Sequence, residues 1–285
     1  MTSNTIRDPE DGGTVLVLGA TGKTGRRIVA NIEAKGVRVR RGSRSATPSF
    51  DWSNEVTWDG CLDAVDAVYI NYAPDLAMPG ATDSIQAFVD KARRHGVKRL
   101  VLLSGRGEEE AQACERIVQS SGVEWTIVRA SWFNQNFSEG AFVEMVQAGQ
   151  ITLPDVDTPE PFVDVDDVAE VASVALTEPG HAGEVYEVTG PRLLTLADLA
   201  TEISEATGRR IHYVPVPHKD FVDGMANSGA PRDVVWMLDY LFATVLDGRN
   251  AYLSDGVQRA LGRPPKDFAM FARGTVATDV WRSVA

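Results

Sequence analysis

The chain has 285 residues, of which 44% are hydrophobic and 24% charged, so it can bury a large core in one α/β domain or in a domain with a smaller lobe. Its formal net charge of -12 disfavours binding to nucleic acid or to an anionic membrane, because both present negative phosphates. Two cysteines are too few for a disulfide framework, and four scattered histidines predict no metal site.

Residues 1–12 are polar and lack the apolar centre of a signal peptide, so we expect them to form a loose leader. No apolar run in the sequence approaches the about 20 residues that are needed to cross a bilayer. The sequence therefore predicts a cytoplasmic protein that does not enter membranes.

Strands and helices are predicted to alternate from residue 13 onward. Short apolar runs are typical of strands that are buried on both faces of a parallel sheet, and they occur at 14–19, 37–41, 66–73, 99–105 and 124–131. Helical stretches over 82–96 and 108–122 separate the later strands, and a further strand over 184–190 is expected at the sheet edge. Because parallel neighbours need crossover connections, this order predicts a Rossmann-type, doubly wound parallel α/β sheet.

The pattern changes at about residue 191, where helices begin to dominate and 214–218 remains as a strand or linker that contains proline. We therefore predict a Rossmann core over 13–150, with 160–190 returning to its sheet. A smaller, mainly helical lobe over 191–285 is expected to lie over the strand ends and to contact the substrate.

A glycine-rich turn directly follows the first predicted strand and opens the first helix. Glycine allows the tight turn and lets the backbone approach a pyrophosphate, which the N-terminus of the helix then holds. In this context the spacing predicts dinucleotide binding, whereas a turn without a ligand is the alternative. The residues expected to contact the cofactor here are Gly19, Thr21, Gly22, Lys23, Thr24 and Gly25.

The region after the second strand predicts which dinucleotide binds. A site for NAD usually places a carboxylate there to hold the ribose hydroxyls, but no acidic residue occurs between Glu33 and Asp51. Arg41 and Arg44 stand there instead, and a guanidinium group matches a 2′-phosphate. With Ser43 as a further donor, these residues predict NADP(H); a solvated basic edge is the alternative.

The sequence resembles the NmrA-like atypical branch of the short-chain dehydrogenase/reductase superfamily. The segments that carry the resemblance are "VLVLGATGKTGRRI", "GSRSATPSFDWSNEVTW", "DAVYINYAP", "LVLLSGRG", "SSGVEWTIVRASWFNQNF" and "PFVDVDDVAEVASVAL". The C-terminal segment resembles bacterial relatives of the ergot-alkaloid reductases that act on agroclavine and festuclavine. The resemblance implies that Asp51 contacts the cofactor near the adenine. It implies further cofactor contacts by Asn71, Tyr72, Ala73, Ser104 and Gly105. It also places Trp132, Phe133 and Asn136 beside the nicotinamide.

One departure from the superfamily bears on the chemistry. The helix after "LVLLSG" lacks the tyrosine and lysine that usually act as acid and cofactor anchor, and Ser104 alone is a poor proton donor. No catalytic residue is therefore assigned, and the run Glu108–Glu110 is interpreted as a favourable acidic helix N-terminus.

An acceptor that needs little acid catalysis fits this departure. We expect NADPH-dependent reduction of a polyketide-type quinone, with O2-dependent hydroxylation as an optional second step. A cyclic imine or iminium is the alternative acceptor, and a non-catalytic NADP-binding redox sensor is the alternative of another class. A homodimer or a partner protein is left open.

An apolar stripe in the second half predicts part of the substrate pocket. Trp236 and Tyr240 belong to this stripe, which has helical spacing. Together with Trp132, Phe133 and Asn136 they are expected to form a flat pocket for a planar aromatic molecule. The alternative is that the stripe forms the core of the lobe.

Overall fold

The structure, a computed structural model, describes residues 13–140 and 142–282; the predicted leader over 1–12 lies outside the described residues. The strands in this part of the chain are β1 (Thr14–Leu18), β2 (Arg38–Gly42), β3 (Ala67–Ile70), β4 (Arg99–Gly105), β5 (Glu124–Ala130), β6 (Gln150–Pro154), β7 (Glu184–Val188) and β8 (His212–Val216). The α-helices are α1 (Lys23–Ala34), α2 (Trp58–Leu62), α3 (Ala81–Arg94), α4 (Glu109–Gln119), α5 (Val143–Ala148), α6 (Val165–Thr177), α7 (Leu196–Thr207), α8 (His218–Asn227), α9 (Arg232–Tyr240), α10 (Gly256–Leu261) and α11 (Phe268–Val276).

The main sheet has six strands in the order β2-β1-β3-β4-β5-β7, and every neighbouring pair is parallel. One face packs against α2, α3 and α4, and the other against α1, α6 and α10. Both faces are covered, which explains why the strands are continuous apolar runs rather than alternating ones. The predicted Rossmann-type sheet is confirmed, and β7 lies at its edge as expected.

The winding direction of the sheet reverses between β1 and β3. The chain leaves β1 for β2 on one side and returns to β3 on the other, so this is the topological switch point. In open parallel sheets the crevice beyond the carboxyl ends of the strands at this point binds the ligand. The fold therefore positions a binding site where the glycine-rich turn follows β1.

A second sheet has two strands, β6 and β8, which pair in parallel. Its side chains join a cluster of buried residues separate from those on the two faces of the main sheet, and this cluster also includes residues of α7, α8, α9 and α11. The region at 214–218 is thus part of a strand, while β6 was not predicted. The domain boundaries remain predictions; α10, within the predicted lobe, packs against α6 and β7 of the main layer.

Candidate active site

The glycine-rich turn forms a tight cradle between β1 and α1. Gly19 has a φ of +66°, and its carbonyl accepts a hydrogen bond of 2.9 Å from the backbone N–H of Gly22. A Cβ at Gly25 would lie 2.1 Å from the Gly19 carbonyl oxygen, so α1 can approach the turn this closely only with glycine there. No side chain caps α1, which leaves its N-terminus open to an anion. These features fit a dinucleotide pyrophosphate.

The two arginines predicted to bind the 2′-phosphate differ in their hydrogen-bond partners. Arg41 donates to Glu33 Oε1 at 2.7 Å, so its charge is already paired. Arg44 is exposed, and within residues 13–140 and 142–282 it makes no hydrogen bond. Its neighbour Ser43 lies 3.3 Å from Ser45, hydroxyl to hydroxyl. Of these side chains, Arg44 is the one available to a 2′-phosphate.

The loop after β2 is tied to the end of β3 by a residue that the sequence did not single out. Trp52 Nε1 donates to the carbonyl oxygen of Asn71 at 3.0 Å. Next to it, the Asp51 carboxylate accepts hydrogen bonds from the backbone N–H and hydroxyl of Ser53, at 2.9 and 2.8 Å, which lower the pKa of Asp51. The region predicted for the adenine is thereby held beside the switch point.

A cavity of about 410 Å³ opens at the carboxyl ends of β3, β4 and β5. It brings together eight of the predicted site residues: Lys23, Asn71, Tyr72, Ser104, Gly105, Trp132, Phe133 and Asn136. Thr21 and Ala73 are exposed beside it, and Thr24 is buried against Tyr69. The contacts of all these residues with a cofactor stay predictions.

Lys23 connects the glycine-rich turn to the segment after β5. Its Nζ donates to Asn136 Oδ1 at 2.7 Å, and burial lowers the pKa of this lysine. A Cβ at Gly140 would lie 2.7 Å from the same Nζ, so Gly140 leaves room for the lysine. One side chain thus bridges the predicted cofactor cradle and the predicted substrate segment.

The hydroxyl of Ser104 is already engaged inside the protein. It donates to Glu115 Oε1 at 2.6 Å, and Glu115 forms an ion pair with Arg129 at 2.5 Å. Because its proton points at this carboxylate, Ser104 is not arranged to protonate a substrate. This agrees with the expectation that serine alone is a poor donor here.

Three carboxyl groups line the cavity, and sequence analysis missed all of them: Asp75, Glu108 and Glu160. Glu109 and Glu110 occupy the exposed first turn of α4, as the interpretation of an acidic helix N-terminus requires. Glu108 precedes that turn and is only 6% exposed. Glu108 is the N-cap residue of α4, as that interpretation requires, but its buried side chain lines the cavity instead of facing solvent.

A family profile described as NAD(P)H-binding matches residues 19–179. The chain belongs to this NAD(P)H-binding family. It is 31% identical over 281 residues to agroclavine dehydrogenase from Claviceps fusiformis, covering 90% of this chain and 96% of that one. It is 28% identical to NAD(P)H azoreductase from Xenophilus azovorans, covering 92% and 98% respectively.

Solved structures show the same fold. The NAD(P)H-binding chain superimposes on an NADPH-dependent quinone oxidoreductase from Escherichia coli with a TM-score of 0.74 and 20% identity, covering 92% of this chain and 99% of that one. For NmrA, a negative transcriptional regulator in complex with NAD, the TM-score is 0.68 at 16% identity, covering 95% and 97%. The predicted NmrA-like resemblance is confirmed.

These comparisons identify an NAD(P)H-dependent oxidoreductase, as predicted. The clavine dehydrogenases that match come from Claviceps fusiformis and Aspergillus fumigatus. Among the described helices of this NAD(P)H-binding protein, none combines the length and apolar character of a membrane span. Within the same residues, no group of three His, Cys, Asp or Glu side chains is placed to hold a metal ion.

Trp236 and Tyr240 lie outside the cavity of this NAD(P)H-binding protein. Their rings stack on each other with centroids 5.5 Å apart, and the Tyr240 hydroxyl donates to Glu110 Oε2 at 2.8 Å. The opposite face of the same helical segment forms the apolar wall, with Val234, Met237, Leu238 and Leu241. The apolar stripe therefore does form a wall, but helical geometry turns the two predicted aromatic residues away from it.

Proposed function

We propose that this protein is an NADPH-dependent reductase of a conjugated cyclic imine. The observation that carries the proposal is Glu160, which lines the cavity and is 1% exposed. Neither of its carboxyl oxygens has a hydrogen-bond partner within the described residues. Burial raises the pKa of Glu160 to about 7, against the opposing effect of Arg106. A buried carboxyl without donors is costly, so this one suits a ligand that brings an N–H group or a cationic nitrogen.

The named relatives support a nitrogen-containing acceptor. One is named for agroclavine and another for the reduction of azo compounds. The sequence alone favoured a quinone, and the aromatic side chains of Trp132 and Phe133 in the cavity lining keep it as the second candidate. We rank it lower because a quinone brings no N–H group or cationic nitrogen for the two Glu160 oxygens, which lack a partner among the described residues. Coupling to O2-dependent hydroxylation stays a prediction for that candidate, as do the cytoplasmic location and any protein partner.

The chain's own residues would hold the reactants. Bound at the glycine-rich turn, NADPH supplies the hydride. Arg44 contacts its 2′-phosphate, and Lys23 fixes the turn against Asn136. Trp132 presents its ring to the conjugated system, while Glu160 accepts a hydrogen bond from an N–H group of the acceptor other than its C=N nitrogen. Such placement of two reactants can supply a large part of the rate enhancement.

The test is NADPH consumption by the purified protein with matched cyclic imines and quinones of similar size. We expect turnover of an imine, and Glu160→Gln should raise the KM for it by about tenfold, since a charge-assisted hydrogen bond contributes roughly 1.5–3 kcal/mol. The affinity for NADPH should not change.

Glu109→Gln is the matched control, because Glu109 is exposed in the first turn of α4. Faster turnover of quinones than of every imine would favour the second candidate. An unchanged imine KM in the Glu160→Gln variant would remove the role that we give to Glu160.

A further inference from the structure

We propose that the carboxyl pair formed by Asp75 and Glu108 is the proton donor of this site, which protonates the acceptor nitrogen as the hydride arrives. The inference rests on the proposed function, because it takes the acceptor to be an imine. It fills the role left open by the missing tyrosine and lysine.

The fold brings the two carboxyl groups together. Asp75 follows β3 and Glu108 follows β4, and these strands are parallel neighbours, so their carboxyl ends share one edge of the sheet. The two side chains hydrogen-bond to each other, and both line the cavity. Asp75 Oδ1 also accepts from the backbone N–H of Ala77 at 2.8 Å, which fixes its position. A Cβ at Gly105 would lie 1.9 Å from Glu108 Oε1, so Gly105 leaves room for the carboxyl in this position.

The surroundings keep a proton on this pair at neutral pH. Two adjacent carboxylates resist double ionisation, and burial penalises the charged form further. Burial and Asp75 together raise the pKa of Glu108 to about 9. Glu110 and Glu115 raise the pKa of Glu108 further, and Cys114 and Tyr240 also interact with the pair. The cations of the same cavity wall have other partners: Arg106 lies 3.7 Å from Glu187 Oε2, and Lys23 donates to Asn136.

Other hydroxyl and ammonium groups at the cavity are less suitable as donors. Ser104 gives its proton to Glu115, and Lys23 donates to Asn136. Tyr72 also lines the cavity, with its ring 5.0 Å from that of Trp52, and is the main competitor. The experiment therefore includes a Tyr72→Phe variant, which tests Tyr72 as the alternative proton donor.

The step balances in atoms and charge. The carbon of the C=N bond receives the hydride and its electron pair from NADPH. The nitrogen forms an N–H bond as an O–H bond of the carboxyl pair breaks, which gives the amine and NADP+. Water then returns one proton to the pair.

The experiment compares two substrates of the same ring system in the holoenzyme, a neutral cyclic imine and its N-alkylated iminium, which needs no proton. Glu108→Gln and Asp75→Asn should each lower kcat for the imine about 100-fold, within the usual contribution of general acid catalysis. Turnover of the iminium should stay within about threefold. In the unmodified enzyme, kcat for the imine should fall above about pH 9, where the pair loses its proton, whereas kcat for the iminium should not.

Equal losses on both substrates would indicate a structural role and overturn the proposal. A loss for the imine in Tyr72→Phe, with none in the carboxyl variants, would move the role to Tyr72. Infrared difference spectroscopy gives a readout that needs no substrate: at pH 8.5, above the pKa of about 7 of Glu160, the carbonyl band of a protonated carboxyl should be present and should be lost in Glu108→Gln. Absence of that band overturns the proposal, whereas absence of imine turnover with the band present overturns only the proposed function.

Discussion

Arg41 lies in β2 and Arg44 follows it, and their hydrogen-bond partners decide which guanidinium is available to the 2′-phosphate of the cofactor. The guanidinium of Arg41 is held by Glu33, while Arg44 has no hydrogen-bond partner in the described part of the chain. An exposed guanidinium without a hydrogen-bonded partner costs little to recruit, because no existing ion pair has to break. Selectivity for the 2′-phosphate should therefore depend on Arg44.

Replacing Arg44 with alanine should lower the preference for NADPH over NADH by roughly 10- to 100-fold, as expected for the loss of a charge-assisted hydrogen bond of about 1.5–3 kcal/mol. The measurement is kcat/KM with each cofactor under otherwise identical conditions. Arg41→Ala is the matched control and should change the ratio by less than about threefold. An unchanged ratio in Arg44→Ala would contradict the assignment.

For single residues, the sequence predicted the site best where the backbone geometry allows only one residue type. The glycine-rich turn could be predicted because only glycine fits at Gly25. The cavity position of Glu108 could not be predicted in this way, since the run Glu108-Glu109-Glu110 is typical of an exposed helix N-terminus. Only the tertiary fold turns Glu108 inward onto Gly105, so its burial leaves no mark in the sequence.

The orientation of helix α9 could not be predicted from its apolar spacing. Its apolar spacing was recognised from the sequence, but not the direction in which the helix turns its face. In the structure Met237 lines the cavity, while Trp236 is 37% exposed and stacks on Tyr240. Periodicity gives the faces of a helix, whereas the packing of neighbouring elements decides which face meets the cavity. The short strand β6 was missed for a related reason, since its partner β8 is distant in sequence.

This difference within one helix can be tested by a matched pair of variants. Met237→Ala should raise the KM for the reducible substrate by about fivefold, because the cavity loses roughly 1 kcal/mol of apolar contact. Trp236→Ala should leave KM within about twofold, since its ring faces away from the cavity. Steady-state kinetics at saturating NADPH measure both, and a larger effect from Trp236→Ala would restore it to the predicted pocket.

For the whole molecule, the site is a consequence of the parallel sheet. Strand order places the turn after β1, the end of β3 and the end of β4 at one edge, so the cofactor cradle and the acidic cavity adjoin. The alternation of strands and helices made this edge predictable. It did not reveal the carboxyl groups of the cavity, because Asp75, Glu108 and Glu160 come from three separate connections.

The buried acid of this cavity should also affect global stability. An unfolded chain would release the Glu108 proton near the ordinary pKa of 4.5, whereas the folded protein keeps it until about pH 9. Below pH 4.5 both states bind the proton, so the group has no effect. Between these values only the folded state binds the proton, so the contribution of Glu108 to stability must fall as pH rises.

The substitution Glu108→Gln removes this dependence. The thermal midpoint of the variant should therefore exceed that of the unmodified protein by a margin that grows from pH 5 to pH 9. A difference of about 1 kcal/mol corresponds to roughly 2–4 °C in a protein of this size. Thermal unfolding at constant ionic strength measures the margin, and parallel curves for the two proteins would show that Glu108 titrates normally.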